Sequence, residues 1–169
     1  MTKGHRTVVF VSVYVLLLSG VGLALLLARL RDGVEGQRRT LFWGLGVGAV
    51  AAWVSGYALA VSAPVAMAFG GSGKFTLADG TIFTFTEAGF AIMFGGGALL
   101  LGCALIVYAL GPVAEPAWVR WSTLVAGIAA LAGLAWFPFF IVYAWSLVLG
   151  LRLLVTARSA APEIQAQPA

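Results

Sequence analysis

The sequence predicts an all-α integral membrane protein, a bundle of five transmembrane helices with a short external loop or β-hairpin between the second and third. Of the 169 residues, 62% are hydrophobic and 9% are charged, and the mean hydropathy is +1.02. Soluble domains carry about 25% charged residues, so this chain cannot cover a globule with polar surface. Its apolar residues also form long runs, and each crossing of a hydrocarbon core about 30 Å thick takes about 20 helical residues.

The first two apolar runs predict spans over residues 7–28 and 41–68. The first run follows Lys3 and Arg6, as the apolar core of a signal peptide would. Its length exceeds the usual core of about 7 to 15 residues, and no small-residue cleavage site precedes Arg29. We therefore expect a retained helix, followed by an arginine-rich loop before the second span.

The segment between the second and third spans differs from the runs around it. Polar and apolar residues alternate in Phe75-Thr76-Leu77 and again over residues 81–86, on either side of the Asp79-Gly80 pair. Alternation with a period of two around an Asp-Gly pair is typical of a short β-hairpin. The pattern predicts a hairpin within residues 70–86, and the alternative is an irregular apolar loop at the membrane surface.

The last apolar stretch, residues 118–155, comes after a third span over residues 89–110. As one helix it would be about 57 Å long, nearly twice the hydrocarbon thickness. Pro138 is the natural break, because proline removes a helical hydrogen bond and the aromatic residues around it favour the membrane interface. A break there gives spans over residues 118–136 and 139–157. The alternative is four spans with one long final helix.

Residues 1–158 are thus expected to form one transmembrane bundle, and the Ala/Pro/Gln-rich residues 159–169 a disordered tail. The distribution of lysine and arginine favours five spans, because cytoplasmic loops carry an excess of these residues. With four spans the ten basic residues divide evenly between the two sides. With five spans, three lie outside (Lys3, Arg6 and Lys74) and seven lie inside (Arg29, Arg31, Arg38, Arg39, Arg120, Arg152 and Arg158).

Five spans therefore predict an external amino terminus and a cytoplasmic carboxyl tail. The expected location is the cell membrane (inner or plasma), which the chain crosses several times. The basic residues lie between apolar runs, where they orient helices and face lipid headgroups. We therefore expect the lipid bilayer as a partner and no binding to nucleic acid.

Small residues at every fourth position let helices approach closely in lipid, where close packing holds them together. The second span carries one such stripe, made of Gly44, Gly48, Ala52, Gly56 and Ala60. The stripe is longer than one helix crossing needs. It packs either within the chain or against a second copy or another membrane subunit, and Gly48→Leu is expected to disrupt assembly more than a similar change on another face of the helix.

Side chains that could do chemistry are scarce. The sequence holds one cysteine, Cys103, and one histidine, His5, which excludes a multi-cysteine or multi-histidine metal site within one copy. No Asp, Glu, Lys or His falls in the middle of a predicted span, although proton relays and ion-coupled transporters depend on such groups. We therefore expect no catalytic, cofactor-binding or metal-binding residue and no enzymatic activity.

The charged residues around the predicted hairpin are the remaining candidates for a site. Asp79 and Glu87 could bind a cation or act as an acid–base pair only if the fold brings them together. The sequence favours solvated charges, with Asp79 in the turn and Glu87 at the amino end of the third helix, where the helix dipole stabilises a carboxylate. Deeper side chains are expected to fill the core (Trp53 and Trp145) or to make hydrogen bonds between helices (Tyr57, Tyr108, Tyr143 and Ser146).

The sequence as a whole predicts a small multi-pass membrane protein that acts as a non-enzymatic accessory, structural or assembly component of a membrane complex. The packing stripes and the scarcity of reactive groups favour this function. The alternative is a passive transporter, channel or small-molecule-binding membrane protein, with a pathway lined by glycine backbone, tyrosine and serine.

Overall fold

The computed structural model describes residues 3–70, 77–112, 115–135 and 138–165, and within them it is helical, without strands. Its α-helices are α1 (Lys3–Arg31), α2 (Gly36–Gly70), α3 (Asp79–Phe90), α4 (Ala98–Ala109), α5 (Ala117–Leu131) and α6 (Phe139–Gln165). A π-helical segment, Ala91–Gly97, joins α3 to α4 without a break, so that Asp79–Ala109 is one continuous helix, here called the third span.

Four of these helices are long and apolar enough to cross a membrane: α1, α2, the third span and α6. The remaining apolar helix, α5, is shorter. The prediction of a membrane helical protein is confirmed at this level.

The predicted β-hairpin is wrong where the structure describes it. Residues 81–86 lie in α3, and Asp79 occupies the first turn of this helix. Thr84 and Thr86 donate their hydroxyls to backbone carbonyls four residues earlier, at 2.8 and 2.9 Å. Because the helix itself satisfies these hydroxyls, alternation of threonine with apolar residues requires no neighbouring strand. Residues 71–76 of the predicted segment 70–86 lie outside the described residues.

The chain breaks close to Pro138, as the sequence predicts. α5 ends at Leu131, a 3-10 turn covers Gly133–Ala135, and α6 begins at Phe139. The single long final helix of the four-span alternative does not form. α6 continues to Gln165 and so includes residues 159–165 of the predicted tail, and residues 166–169 lie outside the described residues.

The small-residue stripe of α2 packs within the chain. A Cβ atom built on Gly56 would lie 2.6 Å from the Gly89 carbonyl oxygen of the third span, so the two backbones are in direct contact. The other stripe residues in contact with the third span are Gly48, Ala52 and Ala60, whereas Gly44 faces open space. Of the two alternatives for the stripe, packing within the chain is the one that the structure shows.

The α5–α6 pair reaches only to the middle of the third span. α5 runs antiparallel to α4: Arg120 Nε donates to the Ala109 carbonyl at one end, at 3.3 Å, and Gly133 approaches Ala98 at the other. α6 begins there, beside Trp53 and Phe94, and returns to the level of Glu115 at Arg152. Arg120 and Gly133 are thirteen residues apart, and a helix of that length covers about 20 Å, which is less than the hydrocarbon thickness of about 30 Å.

Most of the described arginines gather at one end of the bundle, here called the arginine end. Arg38 at the start of α2 donates from Nη1 to the Leu110 carbonyl after α4, at 3.1 Å. Asp32, just after α1, lies 3.7 Å from Arg29 and 3.6 Å from Arg39. The arginine side chains of this end are Arg29, Arg31, Arg38, Arg39, Arg120 and Arg152. They are six of the seven that the five-span count places on one side, and the seventh, Arg158, lies beyond Arg152 along α6.

Candidate functional site

A groove separates α1 from α6 and opens towards the lipid, and we call it the aromatic groove. Its volume is about 350 Å³. α1 and α6 meet at few points, so part of the bundle core is reached from the lipid here. The groove is lined by α1 (Ser19, Gly22, Leu23 and Leu26), by α6 (Phe139, Val142, Tyr143, Ser146, Leu147 and Gly150), and by Trp53 and Leu101 from α2 and α4.

The deep end of the aromatic groove is a cluster of packed rings. Trp53 stacks on Phe139, with ring centroids 5.3 Å apart and an interplanar angle of 13°. Phe94 meets both rings edge-on, at 5.8 and 5.3 Å, and Tyr143 does so at 6.1 and 5.3 Å. Edge-on and stacked ring pairs contribute about 0.5–1.5 kcal/mol each beyond the area that they bury. The cluster therefore forms a well-packed apolar floor.

Two serine hydroxyls line the same groove. Ser19 donates to the Leu16 carbonyl at 2.7 Å, and Ser146 donates to the Val142 carbonyl at 2.8 Å. Both bonds stay within one helix, so the prediction of an interhelical hydrogen bond is wrong for Ser146. Each hydroxyl oxygen can still accept a hydrogen bond. The groove therefore combines an apolar floor with two acceptors on its walls.

A buried hydrogen bond links α5 to α6. Trp145 Nε1 donates to Thr123 Oγ1 at 3.1 Å, and Thr123 donates in turn to the Val119 carbonyl at 2.7 Å. Both linked side chains are buried, and so is Trp53, as predicted for the two tryptophans. Thr123 was not predicted as a core contact. The signal that could have found it is a threonine in the apolar part of α5, in a chain whose buried indole N–H groups need an acceptor.

At the arginine end, an ion pair joins α6 to the residues just before α5. Arg152 Nη1 lies 2.7 Å from Glu115 Oε2, and both side chains are about 30% exposed. The Arg152 guanidinium also lies over the Trp118 ring, 5.3 Å from its centroid. In the sequence, Glu115-Pro116 indicates only where the third span ends. The pairing of Glu115 with Arg152, 37 residues later, was therefore not predicted.

The acidic residues near the predicted hairpin do not converge. Asp79 and Glu87 are both exposed on α3, eight residues apart, which separates them by about 12 Å along the helix axis. The helix begins at Asp79, so Asp79 and not Glu87 takes the favourable amino-terminal position. Lys74 lies outside the described residues. Among the described side chains, no three His, Cys, Asp or Glu groups come close enough to hold a metal ion.

The first helix is attached to the bundle mainly through its carboxyl half. A Cβ atom built on Gly20 would lie 2.9 Å from Val54 Cγ2 of α2, and Leu27 is buried against Gly46. The large exposed side chains of α1 include Val11, Tyr14, Leu18, Val21 and Leu25, each more than half exposed. In its most apolar stretch only 6% of residues are buried, against 39% in the third span.

Comparisons with protein-family profiles, with curated proteins and with solved structures find no match to this chain. A function is therefore inferred from the packing surfaces, the aromatic groove and the arginine end.

Proposed function

We propose that the chain is a non-enzymatic accessory component of a membrane complex, and that α1 is the helix through which it binds a partner subunit. The observation that carries this proposal is the outer face of α1. Val11, Tyr14, Leu18, Val21 and Leu25 point away from the bundle, and all five are more than half exposed.

Val8 and Val15 are also more than half exposed, but these five residues share one face of the helix, and their spacing supports a helix as the partner. The intervals alternate between three and four residues, which is the repeat of helices that pair at a left-handed crossing of about +20°. The face from Val11 to Leu25 is about 21 Å long, a large part of the hydrocarbon thickness. A transmembrane helix of another subunit would bury this face along its length.

The proposed topology has five apolar segments: α1, α2 and the third span cross the membrane, and α5 and α6 form a short pair that enters from the arginine end and returns to it. α1, α2 and the third span alternate in direction, and α6 ends its apolar part at the arginine end. We assign the arginine end to the cytoplasmic side of the cell membrane, because cytoplasmic loops carry excess arginine. Reporter fusions at the two termini test this assignment: a cytoplasmic reporter should be active only at the carboxyl terminus.

The partner is sought by purifying a tagged chain from its native membrane in mild detergent and identifying the polypeptides that co-purify. The variant Leu18→Ala removes the centre of the α1 face, and Leu154→Ala removes an equally exposed leucine of α6 as a control. We expect a stoichiometric partner with the native chain and with Leu154→Ala, and a much reduced yield with Leu18→Ala. The proposal would be contradicted if the chain is recovered alone, or if Leu18→Ala leaves the yield of the partner unchanged.

The aromatic groove favours a second function, the binding of a small apolar molecule. Its volume lies within the range of about 300–1,000 Å³ typical of ligand sites, and such sites are mostly apolar with a few polar groups. A flat apolar ring would stack on the floor formed by Trp53, Phe139 and Tyr143.

Tryptophan fluorescence of the protein in nanodiscs, titrated with a panel of apolar aromatic compounds, tests this second function. We expect a saturable change that Ser146→Phe abolishes, because the new ring fills the groove. Ser62→Phe, at an exposed position of α2, should leave the change intact. A response that both variants preserve would indicate nonspecific partition into the lipid.

A further inference from the structure

We propose that the chain binds one anionic phospholipid in the groove between α1 and α2, with the lipid phosphate on Arg31 and one acyl chain along α2. This site lies on the side of α1 that faces α2, away from the outer face assigned to a partner subunit. The inference therefore stands or fails independently of the proposed function.

Within the part of the chain that the structure describes, Arg31 is the arginine of this end without an oxygen partner. Two of the others share Asp32, two donate to backbone carbonyls and one pairs with Glu115; these five are Arg29, Arg39, Arg38, Arg120 and Arg152. The Arg31 guanidinium lies over the Trp43 ring, 5.0 Å from its centroid. Its Nε is buried without a hydrogen-bond partner, which is true of no other side-chain atom in the described part of the chain.

A buried donor without an acceptor destabilises a fold, and a phosphate oxygen is an acceptor that a guanidinium binds in a bidentate, charge-assisted geometry. The arginine end also favours a ligand with net negative charge. Its described side chains comprise six arginines against three carboxylates, namely Asp32, Glu35 and Glu115. A zwitterionic headgroup would place a second cation beside this excess of positive charge.

An apolar groove begins at Trp43, the residue whose ring the Arg31 guanidinium covers. It encloses about 320 Å³ and is lined by side chains without polar atoms other than the indole N–H, namely Ala24 and Leu27 of α1 and Trp43, Gly46, Val47, Val50, Ala51 and Val54 of α2. Gly46 and Ala51 are small, and this leaves the room that the groove occupies. The groove closes where Gly20 of α1 meets Val54 of α2.

The length of this groove identifies its occupant. From Trp43 to Val54 the α2 helix advances about 16 Å, close to half of the hydrocarbon thickness of about 30 Å. A transmembrane helix needs a face that extends through both leaflets, whereas an acyl chain occupies one leaflet. Trp43 lies at the headgroup level, where tryptophan is enriched. A lipid of one leaflet, with its phosphate at Arg31 and its chain ending near Val54, fits these dimensions.

Native mass spectrometry of the purified chain tests the proposal. The protein in detergent is offered equal amounts of phosphatidylglycerol and phosphatidylcholine with identical acyl chains. We expect one phosphatidylglycerol to remain bound, and Arg31→Gln to lower its retention by about tenfold or more. Arg29→Gln removes the same charge from the same helix end, but from an arginine that already pairs with Asp32, so it should retain the lipid.

A second pair of variants separates the groove from the charge. Ala51→Phe fills the groove and leaves the guanidinium in place, and it should release the lipid. Ala58→Phe adds the same ring two turns farther along α2, beyond the closure at Val54, and should have no effect. If Arg31→Gln does not yield a monodisperse helical protein, Arg31→Lys replaces it and should weaken retention, because lysine cannot form the bidentate pair.

Four results would overturn the proposal. The first is equal retention of the two lipids by the native chain, and the second is equal loss with Arg29→Gln and Arg31→Gln, which would indicate general charge attraction. The third is displacement of the lipid by millimolar inorganic phosphate, which would indicate a free-anion site. The fourth is full retention in Ala51→Phe, which would place the acyl chain elsewhere.

Discussion

The interface between α2 and the third span contrasts with the attachment of α1. At the first, two backbones touch at Gly56 and Gly89, and about a third or more of the residues in each apolar stretch are buried. At the second, the apolar stretch with the highest mean hydropathy of the four long helices is also the most exposed. The contrast teaches that in lipid the extent of packing depends on the placement of small residues, since lipid tails satisfy apolar side chains as well as protein does.

The strongest test of this contrast is Gly56→Ala. The added Cβ would lie 2.6 Å from a backbone oxygen and 2.9 Å from a backbone nitrogen of the third span, so two helices must move apart. We expect a loss of about 3 kcal/mol in the free energy of unfolding, at the upper end of the range for overpacking. Denaturation by sodium dodecyl sulfate in mixed micelles measures it, with Gly44→Ala, which meets nothing, as the neutral control.

A pair of leucine truncations compares the two halves of α1. Leu27 is buried against α2, so Leu27→Ala should cost about 2 kcal/mol, through lost packing and a cavity. Leu18 faces the lipid, and Leu18→Ala should change the stability of the isolated chain by less than about 0.5 kcal/mol. Thermal unfolding of the purified variants measures the difference, and equal destabilisation by the two would refute the view that only the carboxyl half is attached.

The hydrogen bond between α5 and α6 gives a smaller effect. Thr123→Val keeps the shape of the side chain and leaves the Trp145 indole N–H without its acceptor. Interhelical hydrogen bonds in membranes contribute about 0.6–2 kcal/mol, and we expect a loss of about 1 kcal/mol. Ser122→Ala is the control, because Ser122 bonds only to its own helix. Denaturation by sodium dodecyl sulfate in mixed micelles measures the loss, and unchanged stability of Thr123→Val would show that the bond contributes nothing.

The smallest expected effect is at Gly48. A Cβ atom there would meet the tip of the flexible Leu100 side chain at 3.1 Å, and that side chain can rotate away. Gly48→Ala should therefore change the free energy of unfolding by less than about 0.5 kcal/mol. This ranking refines the sequence-based expectation for the stripe, because Gly48→Leu is now expected to disrupt the bundle less than Gly56→Leu. Coincident melting profiles of Gly48→Leu and Gly56→Leu would contradict this expectation.

Features that depend on composition and charge were predictable from the sequence. Long apolar runs indicated the helices, the proline at 138 indicated the last break, and the arginine count indicated which residues share one end of the bundle. These predictions depend on properties of single segments and of the bilayer, so no knowledge of tertiary contacts is needed.

The sequence did not predict features that depend on contacts between distant segments. The Glu115–Arg152 pair and the Thr123–Trp145 bond join residues that no local pattern relates. The hairpin prediction failed because alternation of threonine with apolar residues suits a strand, whereas a helix in lipid accepts the same residues once each hydroxyl bonds to its own backbone.

The π-helical segment Ala91–Gly97 has a consequence for how this chain can change. A π turn holds more residues than an α turn, so it works as one extra residue within a continuous helix. Deleting one of the consecutive glycines at 95, 96 and 97 would restore α-helical winding with nearly the same total rotation, because the wide turn takes up the extra residue. Gly89 would then still face Gly56 while α4 kept its place beside α5. The wide turn thus lets one membrane helix gain or lose a residue without turning its two halves away from their separate contacts.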